Sequence, residues 1–469
     1  MLKRTVLIFT ALLAFLQACR RDELLTDPSA RLEFSTDSIL FDTVFTSVGS
    51  TTASFKIYNR HDQPIKISQV RLGGMNSSSY RLNVDGTPLV SGGDIEIPAR
   101  DSIFCFVEVT VDPNSSTTPF VIRDSILFTT NGNEQKVILE AWGRNAYFHY
   151  NEIITSTSTW PVDKPHVIYN YVVVDSAATL TIPAGAQIYM HKYALLYVYR
   201  DGTLKINGTQ GNEVTFQGDR LEPQFNETPG QWSAIYFSAL SKNNTIDWAV
   251  IKNGDAGIIS DTFPSANPTV VIRNTIIRNM AAYGILGRGS RIDAYNVSVS
   301  NCGRYNVALV YGGMYRFFHC TFANFWSYDT RQYPTVIVNN WYEDANENVI
   351  TRPLDSASFY NCIIYGSIDE ELQIDRSINT GPAFNYKFHH CLIRTELNTA
   401  TPNFINCRIN QDPNFVSATD LRLSSISSAT NGGDLNVVNW FPLILNTDLK
   451  GDPRNMDGDP DVGAYEYVP

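Results

Sequence analysis

Hydrophobic and polar residues alternate with a period of two through much of the chain between Arg31 and Arg144. Alternation of this kind places the apolar side chains on one face of an extended strand, and Gly92-Gly93 and Asn131-Gly132 can form the turns between runs. Short strands at this spacing are typical of two packed antiparallel sheets. The pattern predicts a β-sandwich over residues 31–145, with Cys105 on its buried face.

A different pattern begins near His166, and from Ala249 onward a five-residue unit recurs. Its first and third positions are apolar or small and its fifth is Asn, although the last copies are degenerate. The copies are Ala249–Asn253, Thr275–Asn279, Val297–Asn301, Cys320–Asn324, Cys362–Gly366, Cys391–Thr395 and Cys407–Gln411. Apart from one long interval between Cys320 and Cys362, the spacing fits a coil of three short strands and three turns, which predicts a solenoid.

Equivalent positions in successive coils of a parallel solenoid form columns about 4.8 Å apart. The first and third positions should fill the interior, and the cysteines at position one should form a stack of free thiols, because in-register parallel strands seldom offer disulfide geometry. Asn at position five, and the polar residue before each unit, should form hydrogen-bonded ladders. That second column comprises Asn274, Asn296, His319, Asn361, His390 and Asn406. His319 and His390 lie about two coils apart, roughly 10 Å, so they should not share a zinc ion.

Three parts of the chain resemble known families. The run from Asn59 to Ile67 and the sequence Leu139-Glu140-Ala141-Trp142-Gly143 are similar to immunoglobulin-like modules of the choice-of-anchor or abnormal-spindle type, which implies a spacer module. Leu180–Ala186 and Gly202–Thr209 resemble the opening turns of right-handed parallel β-helices, the fold of pectate lyases. The resulting expectation is an all-β protein with a β-sandwich at residues 31–145 and a right-handed parallel β-helix at residues 160–469.

The C-terminal sequence Asp461-Val462-Gly463-Ala464-Tyr465-Glu466 resembles the end of choice-of-anchor and polymorphic outer-membrane β-helix proteins. In that family the segment terminates the solenoid, so the resemblance implies a C-terminal cap. Nearby, the carboxylates of Asp457, Asp459 and Asp461 alternate as they do in calcium loops. We expect a structural turn here, with calcium binding as the alternative, and we expect that the protein requires no cofactor.

The N-terminus has the pattern of an export signal. Lys3 and Arg4 precede the apolar run Val6–Leu16, which is too short to span a membrane. The sequence Leu16-Gln17-Ala18-Cys19 resembles the bacterial lipobox, which implies cleavage of residues 1–18, lipid attachment to Cys19 and a tether over residues 19–30. Arg20 stands where an inner-membrane retention signal would have Asp, so we expect an outer-membrane lipoprotein. Arg21-Asp22-Glu23 resembles tags of surface-exposed lipoproteins.

Composition narrows the range of partners. The chain has 469 residues, 18% of them charged, and a formal net charge of -11. A negative protein repels a phosphate backbone on average, so we expect no nucleic-acid partner. We also expect a monomer.

The long interval in the repeat predicts an insertion at about residues 326–355 that is rich in aromatic and acidic side chains. Its candidate ligand-binding residues are Trp326, Tyr328, Tyr333, Trp341, Tyr342, Glu343 and Asp344. Aromatic faces beside carboxylates suit sugar rings and hydroxyls, so we expect polysaccharide or another surface partner to bind there without catalysis. The alternative for these residues is packing of the insertion against the coil.

Two other functions stay open at this point. Pectate lyases and polygalacturonases share the resembled fold. The coils offer Arg278, Arg288, Arg291 and Arg394, together with Asp255, Asp261 and Asp293. The coils contain no adjacent Asp pair and no Gly-His-Gly, so the catalytic residues of such a lyase or hydrolase are unknown. The second possibility is a purely structural surface protein.

Overall fold

The structure is a computed structural model that describes residues 23–261, 267–456 and 458–468. The predicted signal peptide and Cys19 lie outside this range. The chain divides into two compact units between Asn145 and Ala146. The regular secondary structure of both units is mainly β-strand. No helix among the described residues combines the length and the hydropathy needed to cross a membrane.

The N-terminal unit consists of two sheets packed around one apolar core. One sheet has the order β1-β3-β9-β5-β6 and the other has β2-β11-β10-β4-β7, with β8 beside β4. The strands are β1 Glu33–Phe34, β2 Ser38–Phe45, β3 Ala53–Tyr58, β4 Ile65–Leu72, β5 Tyr80–Val84, β6 Thr87–Leu89, β7 Ser91–Gly92, β8 Ile95–Ile97, β9 Ser102–Val109, β10 Phe120–Thr130 and β11 Asn133–Arg144. All pairings are antiparallel except β2 with β11.

Strand β9 shows how the sequence pattern creates this core. Ile103, Cys105 and Val107 are buried, whereas Phe104 and Phe106 between them are exposed. Burial in apolar surroundings raises the pKa of the Cys105 thiol to about 12. The predicted β-sandwich and the buried position of Cys105 are confirmed.

The C-terminal unit is a parallel β-helix built on a sheet of 26 strands. Its first strands are β12 Tyr147–Ile154, β13 Ser158–Thr159, β14 His166–Val174, β15 Thr179–Pro183, β16 Gln187–Met190, β17 Leu195–Val198, β18 Thr203–Asn207, β19 Val214–Gly218, β20 Ala234–Phe237, β21 Asn244–Asp247, β22 Ala249–Lys252, β23 Ala256–Asp261 and β24 Val270–Met280. The remaining strands of the unit are β25 Tyr283–Arg288, β26 Arg291–Cys302, β27 Tyr305–Val310, β28 Gly313–Phe318, β29 Thr321–Asn324, β30 Val336–Asn339, β31 Trp341–Glu343, β32 Val349–Thr351, β33 Leu354–Tyr360, β34 Ile363–Gly366, β35 Leu372–Asp375, β36 Phe384–His389, β37 Leu392–Ile393, β38 Phe404–Ile405 and β39 Arg408–Ile409.

Most coils contribute one strand to each of three stacks, which we name A, B and C. Stack A contains β17, β20, β23, β25, β27, β30 and β35, and stack B contains β15, β18, β21, β28, β33, β36 and β38. Stack C contains β16, β19, β22, β29, β34, β37 and β39, while β24 and β26 bend to serve both B and C. The chain visits the stacks in the order B, C, A.

The repeated sequence unit is stack C. Its second position pairs in unbroken register down the stack, through Val250, Ile276, Ser298, Thr321, Ile363, Leu392 and Arg408. The third position points into the core, where most of its apolar side chains are fully buried. In stack B, the rings of Phe317, Phe359 and Phe388 stack with centroids 4.9 and 4.8 Å apart. This spacing is the distance between neighbouring parallel strands, so the alignment of the repeat is confirmed.

The cysteines at position one are free thiols, as predicted. Cys320, Cys362 and Cys391 are fully buried, and their sulfurs lie 3.4, 3.2 and 3.4 Å from backbone carbonyl oxygens. A buried thiol of this kind packs as a small apolar side chain with a weak donor.

The polar column before each unit lies at the bend between stacks B and C. All six of its residues have positive φ, between 48° and 53°, a conformation that Asn tolerates better than most side chains. The Asn296 amide donates to Asn274 Oδ1 (3.1 Å), and the Asn361 amide lies 2.9 Å from His319 Nε2. The column therefore serves both to bend the chain and to join the coils.

The predicted insertion at 326–355 is not one continuous loop. Strand β30 within it belongs to stack A and pairs with β27 and β35. The long interval in the repeat therefore consists of two separate excursions, a loop over residues 325–335 and a second one over residues 340–353 that forms the hairpin β31–β32.

Residues after β39 run back along the flank of the solenoid and include two short helices, α1 Leu435–Trp440 and α2 Pro442–Leu445. Ala464 donates its backbone N–H to Thr321 (2.9 Å), and the Gln210 amide donates to the Lys450 carbonyl (2.5 Å). The second-position residues Ile363 and Leu392 are buried beneath this segment. Its contacts thus extend along the side of the coils, whereas the predicted cap would cover the end of the solenoid.

Candidate functional site

A cleft of about 520 Å³ lies at the corner where the chain passes from stack C to stack A. We call it the Trp326 cleft, and its lining residues are Glu227, Arg278, Asn279, Asn301, Phe325, Trp326, Ser327, Tyr328, Ala418 and Thr419. Loops that leave equivalent corners of a solenoid lie on the same side of it. Two long loops, after β19 and after β29, flank the shorter turns of the coils between them.

The floor of the cleft is formed by the turn residues of the middle coils. Asn279 and Asn301 occupy the fifth position of the repeat, and both have positive φ, 56° and 52°. Asn279 is buried and its amide donates to Glu227 Oε2 (2.5 Å). Asn301 accepts from the Phe325 backbone N–H through its side-chain oxygen (3.0 Å). The ladder residues at this corner therefore also position the loops that flank the cleft.

An ion pair joins the first long loop to the coil. Both guanidinium nitrogens Nη1 and Nη2 of Arg278 donate to the Glu227 carboxylate, Nη2 at 3.0 Å, and Lys252 lies 3.4 Å from the same group. The Glu227 side chain remains about half exposed. Charged donors and acceptors thus face the cleft in fixed positions.

The aromatic side of the cleft comes from the second long loop. The rings of Trp326 and Tyr328 lie with centroids 5.1 Å apart, and Tyr328 is 54% exposed. The Tyr328 hydroxyl donates to the Glu227 carbonyl (2.5 Å), which links the two loops. Burial, followed by the charge of Glu227, raises the pKa of Tyr328, so its hydroxyl is neutral at physiological pH.

The second loop is fixed by a buried ion pair. Arg331 and Glu371 are 4% and 0% exposed, and Arg331 donates to both carboxylate oxygens, with Nη1 at 2.6 Å from Oε1. Arg331 also donates to the Asn324 carbonyl (2.7 Å), and Glu371 accepts from the hydroxyl of Thr335 (2.6 Å). These charge-assisted hydrogen bonds rigidify the loop that carries Trp326 and Tyr328.

The other predicted ligand-binding residues do not line the Trp326 cleft. Tyr333 packs against Tyr305 with ring centroids 5.2 Å apart. Trp341 and Tyr342 lie in β31, and Tyr342 packs against Tyr311 at 4.7 Å. The predicted aromatic surface is therefore divided between two places on the solenoid.

Tyr342 contributes to a more open second depression of about 440 Å³, which we call the tyrosine cleft. It is lined by Tyr236, Ala239, Asp261, Arg288, Tyr311, Tyr342 and Arg352. Arg288 donates to Asp261 Oδ1 (2.6 Å) and to the Tyr236 hydroxyl (2.7 Å). Burial, together with the hydrogen bond to Asp261, raises the pKa of Tyr236 to about 12.

The predicted acidic residues Glu343 and Asp344 line neither cleft. Glu343 is exposed in the hairpin β31–β32, and Asp344 accepts from the backbone N–H of Asn346 (2.8 Å) and of Asn348 (3.0 Å) in its turn. These hydrogen bonds lower the pKa of Asp344. The Asp344 carboxylate therefore stabilises the hairpin turn and is part of neither cleft.

Of the three predicted calcium ligands, Asp457 lies outside the described residues. Asp459 is exposed, and Asp461 is buried. The two carboxylate oxygens of Asp461 accept from the backbone N–H of Asn431 and of Tyr467, each at 2.7 Å. Calcium binding stays a prediction.

No family model and no curated protein matches the chain. Among solved structures, the chain is similar to a family 123 glycoside hydrolase from Clostridium perfringens that was studied for glycolipid glycan hydrolysis. The sequence identity is 8%, the TM-score is 0.19, and the match covers 26% of this chain and 30% of the other. A match of this extent establishes neither a common fold nor a common activity.

Sequence reasoning identified Trp326 and Tyr328 but missed the groups opposite them. Glu227 lies in the long interval between β19 and β20, and Arg278 was one of several arginines without an assigned partner. The length of that interval, at the same corner of the coil as the 325–335 loop, is the signal that could have indicated a cleft.

Proposed function

We propose that the protein is a lipid-anchored outer-membrane lipoprotein exposed at the cell surface, whose β-helix binds polysaccharide in the Trp326 cleft without cleaving it. The observation that carries the binding proposal is the juxtaposition of an indole and a phenol with the Arg278–Glu227 ion pair in a concave site. Aromatic rings suit the apolar faces of sugars, while charged and amide groups suit their hydroxyls.

Rigidity supports this assignment. The Trp326 loop is held by the buried Arg331–Glu371 pair and is bridged to the opposite loop through the Tyr328 hydroxyl. A site that is ordered before its ligand arrives loses little conformational entropy on binding. This matters for sugars, whose individual contacts are weak.

The lining of the cleft favours binding over hydrolysis. Glycoside hydrolysis by the usual mechanism requires two carboxyl groups on opposite sides of the scissile bond. Within the described part of the chain, Glu227 is the one carboxylate that lines the cleft, and it is paired with Arg278. The hydrolase form of the runner-up function therefore lacks an assembled pair of acids here. A polysaccharide lyase of the β-helix class needs a base rather than two acids, and the cleavage assay below tests for it.

The glycan-binding proposal predicts that Trp326→Ala weakens polysaccharide retention at least tenfold, because loss of one aromatic anchor costs about 2 kcal/mol. The purified chain from residue 20 onward would be incubated with a glycan array, and retained ligands would be titrated by calorimetry. Tyr342→Ala is the matched control, since Tyr342 lines the tyrosine cleft instead.

Equal loss in both variants, or loss only in Tyr342→Ala, would contradict the placement of the site. Release of reducing or unsaturated ends, abolished by Glu227→Gln or Arg278→Lys, would establish the enzymatic alternative. Absence of any retained or cleaved glycan would leave the purely structural role.

Membrane attachment predicts that a labelled fatty acid is incorporated into the protein in Gram-negative cells and that Cys19→Ala abolishes this incorporation. The lipid is expected on this thiol because Leu16-Gln17-Ala18-Cys19 has the form of a lipobox. The measurement is label in the immunoprecipitated chain and its distribution between membrane and soluble fractions. Cys105→Ala is the control, since Cys105 is buried in the sandwich core; unchanged labelling of Cys19→Ala would contradict the proposal.

A further inference from the structure

A cluster of three metal-ligating side chains lies on the flank of the solenoid, separate from the proposed glycan site. One nitrogen each from His389 and His390 and one carboxylate oxygen of Asp434 lie within 4.8 Å of one another. All three residues are partly buried. The geometry points to a site for a divalent transition metal, Zn²⁺ above all, that fastens the C-terminal segment to the coils.

The backbone brings the two imidazoles to the same place. Adjacent residues of a regular strand point to opposite faces, but His390 has a φ of 51° at the bend that follows β36. This left-handed conformation breaks the alternation, and the two rings lie with centroids 4.7 Å apart. His389 and His390 belong to one coil, whereas His319 and His390 lie about two coils apart, roughly 10 Å.

His389 provides a ligand atom that the protein itself does not use. Its Nδ1 is buried without a hydrogen-bond partner and lies 3.8 Å from Asp434 Oδ2. A buried polar atom without a partner costs free energy, which a bound cation would recover.

Asp434 is held in position by the polar column of the solenoid. Its backbone N–H donates to Asn361 Oδ1 (2.9 Å), and its carbonyl accepts from the Asn361 amide (3.1 Å). Its Oδ1 accepts from the Asn436 backbone N–H (3.0 Å), so Oδ2 is the oxygen directed towards His389. Fixed outer contacts of this kind orient carboxylate ligands in metal sites.

His390 must exchange one hydrogen bond for the metal. Its Nδ1 lies 3.2 Å from the Gly432 carbonyl, and its Nε2 lies 2.9 Å from the Asn406 amide. Ligation through Nδ1 moves the imidazole proton to Nε2, which can then donate to the Asn406 side-chain oxygen after rotation of that amide. Two imidazoles, one carboxylate and water complete a four-coordinate Zn²⁺ site.

The proposal is tested by calorimetric titration of ZnCl₂ into the full chain after treatment with EDTA, with Co²⁺ absorption as a second readout. We expect one ion per chain and an increase in melting temperature with saturating Zn²⁺. Asp434→Asn should weaken binding at least tenfold while preserving the helix N-cap, because Asn caps helices as well as Asp does. His389→Phe keeps a ring against Tyr360 and should have the same effect on binding.

His61→Gln is the control, because His61 lies in the other unit and contacts the Arg31 carbonyl. Absence of stoichiometric binding would overturn the proposal, and so would unchanged affinity in Asp434→Asn. Melting of the unliganded variants, followed by circular dichroism, separates loss of the metal from loss of the fold. Failure of glycan binding would not affect this result, because the two sites share no residue.

Discussion

Arg331→Met is expected to lower the free energy of unfolding of the solenoid by about 3–5 kcal/mol, because it leaves the Glu371 carboxylate buried without its cation. Glu371 is fully buried and accepts from Thr335 as well as from Arg331. The substitution should also reduce polysaccharide retention, since the same loop carries Trp326 and Tyr328. The measurements are chemical denaturation and hydrogen exchange of residues 325–335.

The matched control for this prediction is Arg123→Met. Arg123 forms an ion pair with Glu140 at a similar N–O distance of 2.7 Å, but the arginine side chain is 72% exposed. Exposed pairs contribute about 0–1 kcal/mol, so this change should be nearly neutral. The double variant Arg331→Met/Glu371→Met should recover part of the loss, because it buries no unpaired charge. Equal stability of Arg331→Met and wild type would contradict the role assigned to the pair.

Arg454→Met is expected to release the C-terminal segment from the solenoid, again at a cost of about 3–5 kcal/mol. Arg454 is fully buried and donates to Glu466 Oε1 (2.5 Å) and to Asn296 Oδ1 (2.9 Å). It therefore joins the final residues to the polar column. Hydrogen exchange over residues 446–468 would measure the release, and Lys450→Met, whose pair with Asp452 is exposed, is the control.

The buried Arg454–Glu466 pair predicts that the free energy of unfolding depends on pH. Burial raises the pKa of Glu466 to about 7, even though Arg454 lowers it. The folded chain thus retains a proton that the unfolded chain releases at its ordinary, lower pKa, so the contribution of Glu466 to stability falls as the pH rises towards 7. The decline should extend to higher pH in Arg454→Met, because loss of Arg454 raises the pKa of Glu466 further, and it should be absent in Glu466→Gln. A stability of Arg454→Met that rises over the same range would contradict this account.

The repeat was predictable from sequence because every coil needs an apolar side chain at the same position to fill the core. Ile276, Ser298 and Thr321 were aligned by their neighbours alone, and the structure pairs them in that register.

The Trp326 cleft was only partly predictable. Whether Tyr328 meets Glu227 depends on the path of two loops that are several coils apart, and a periodic pattern carries no information on that path.

The buried ion pairs were missed for a related reason. In the sequence, Arg331 and Arg454 are indistinguishable from ordinary surface arginines. Their neighbours along the chain do not indicate that Glu371 and Glu466 will be buried beside them. The sequence does indicate that the aromatic insertion is divided, because Val336–Asn339 within it has the apolar character of a coil strand. That signal was obscured by the loops on either side of it.

The return of the C-terminal segment along the flank changes how a solenoid of this kind can fold. Coil stacking alone is a nearest-neighbour process, in which early coils can form before later ones exist. Here the last residues contact Gln210, Asn296 and Thr321, which precede them by much of the length of the unit. Such long-range contacts slow folding but couple distant coils. The early coils therefore reach their full stability only when the end of the chain has been synthesised, and the β-helix should unfold more cooperatively than an open array of repeats.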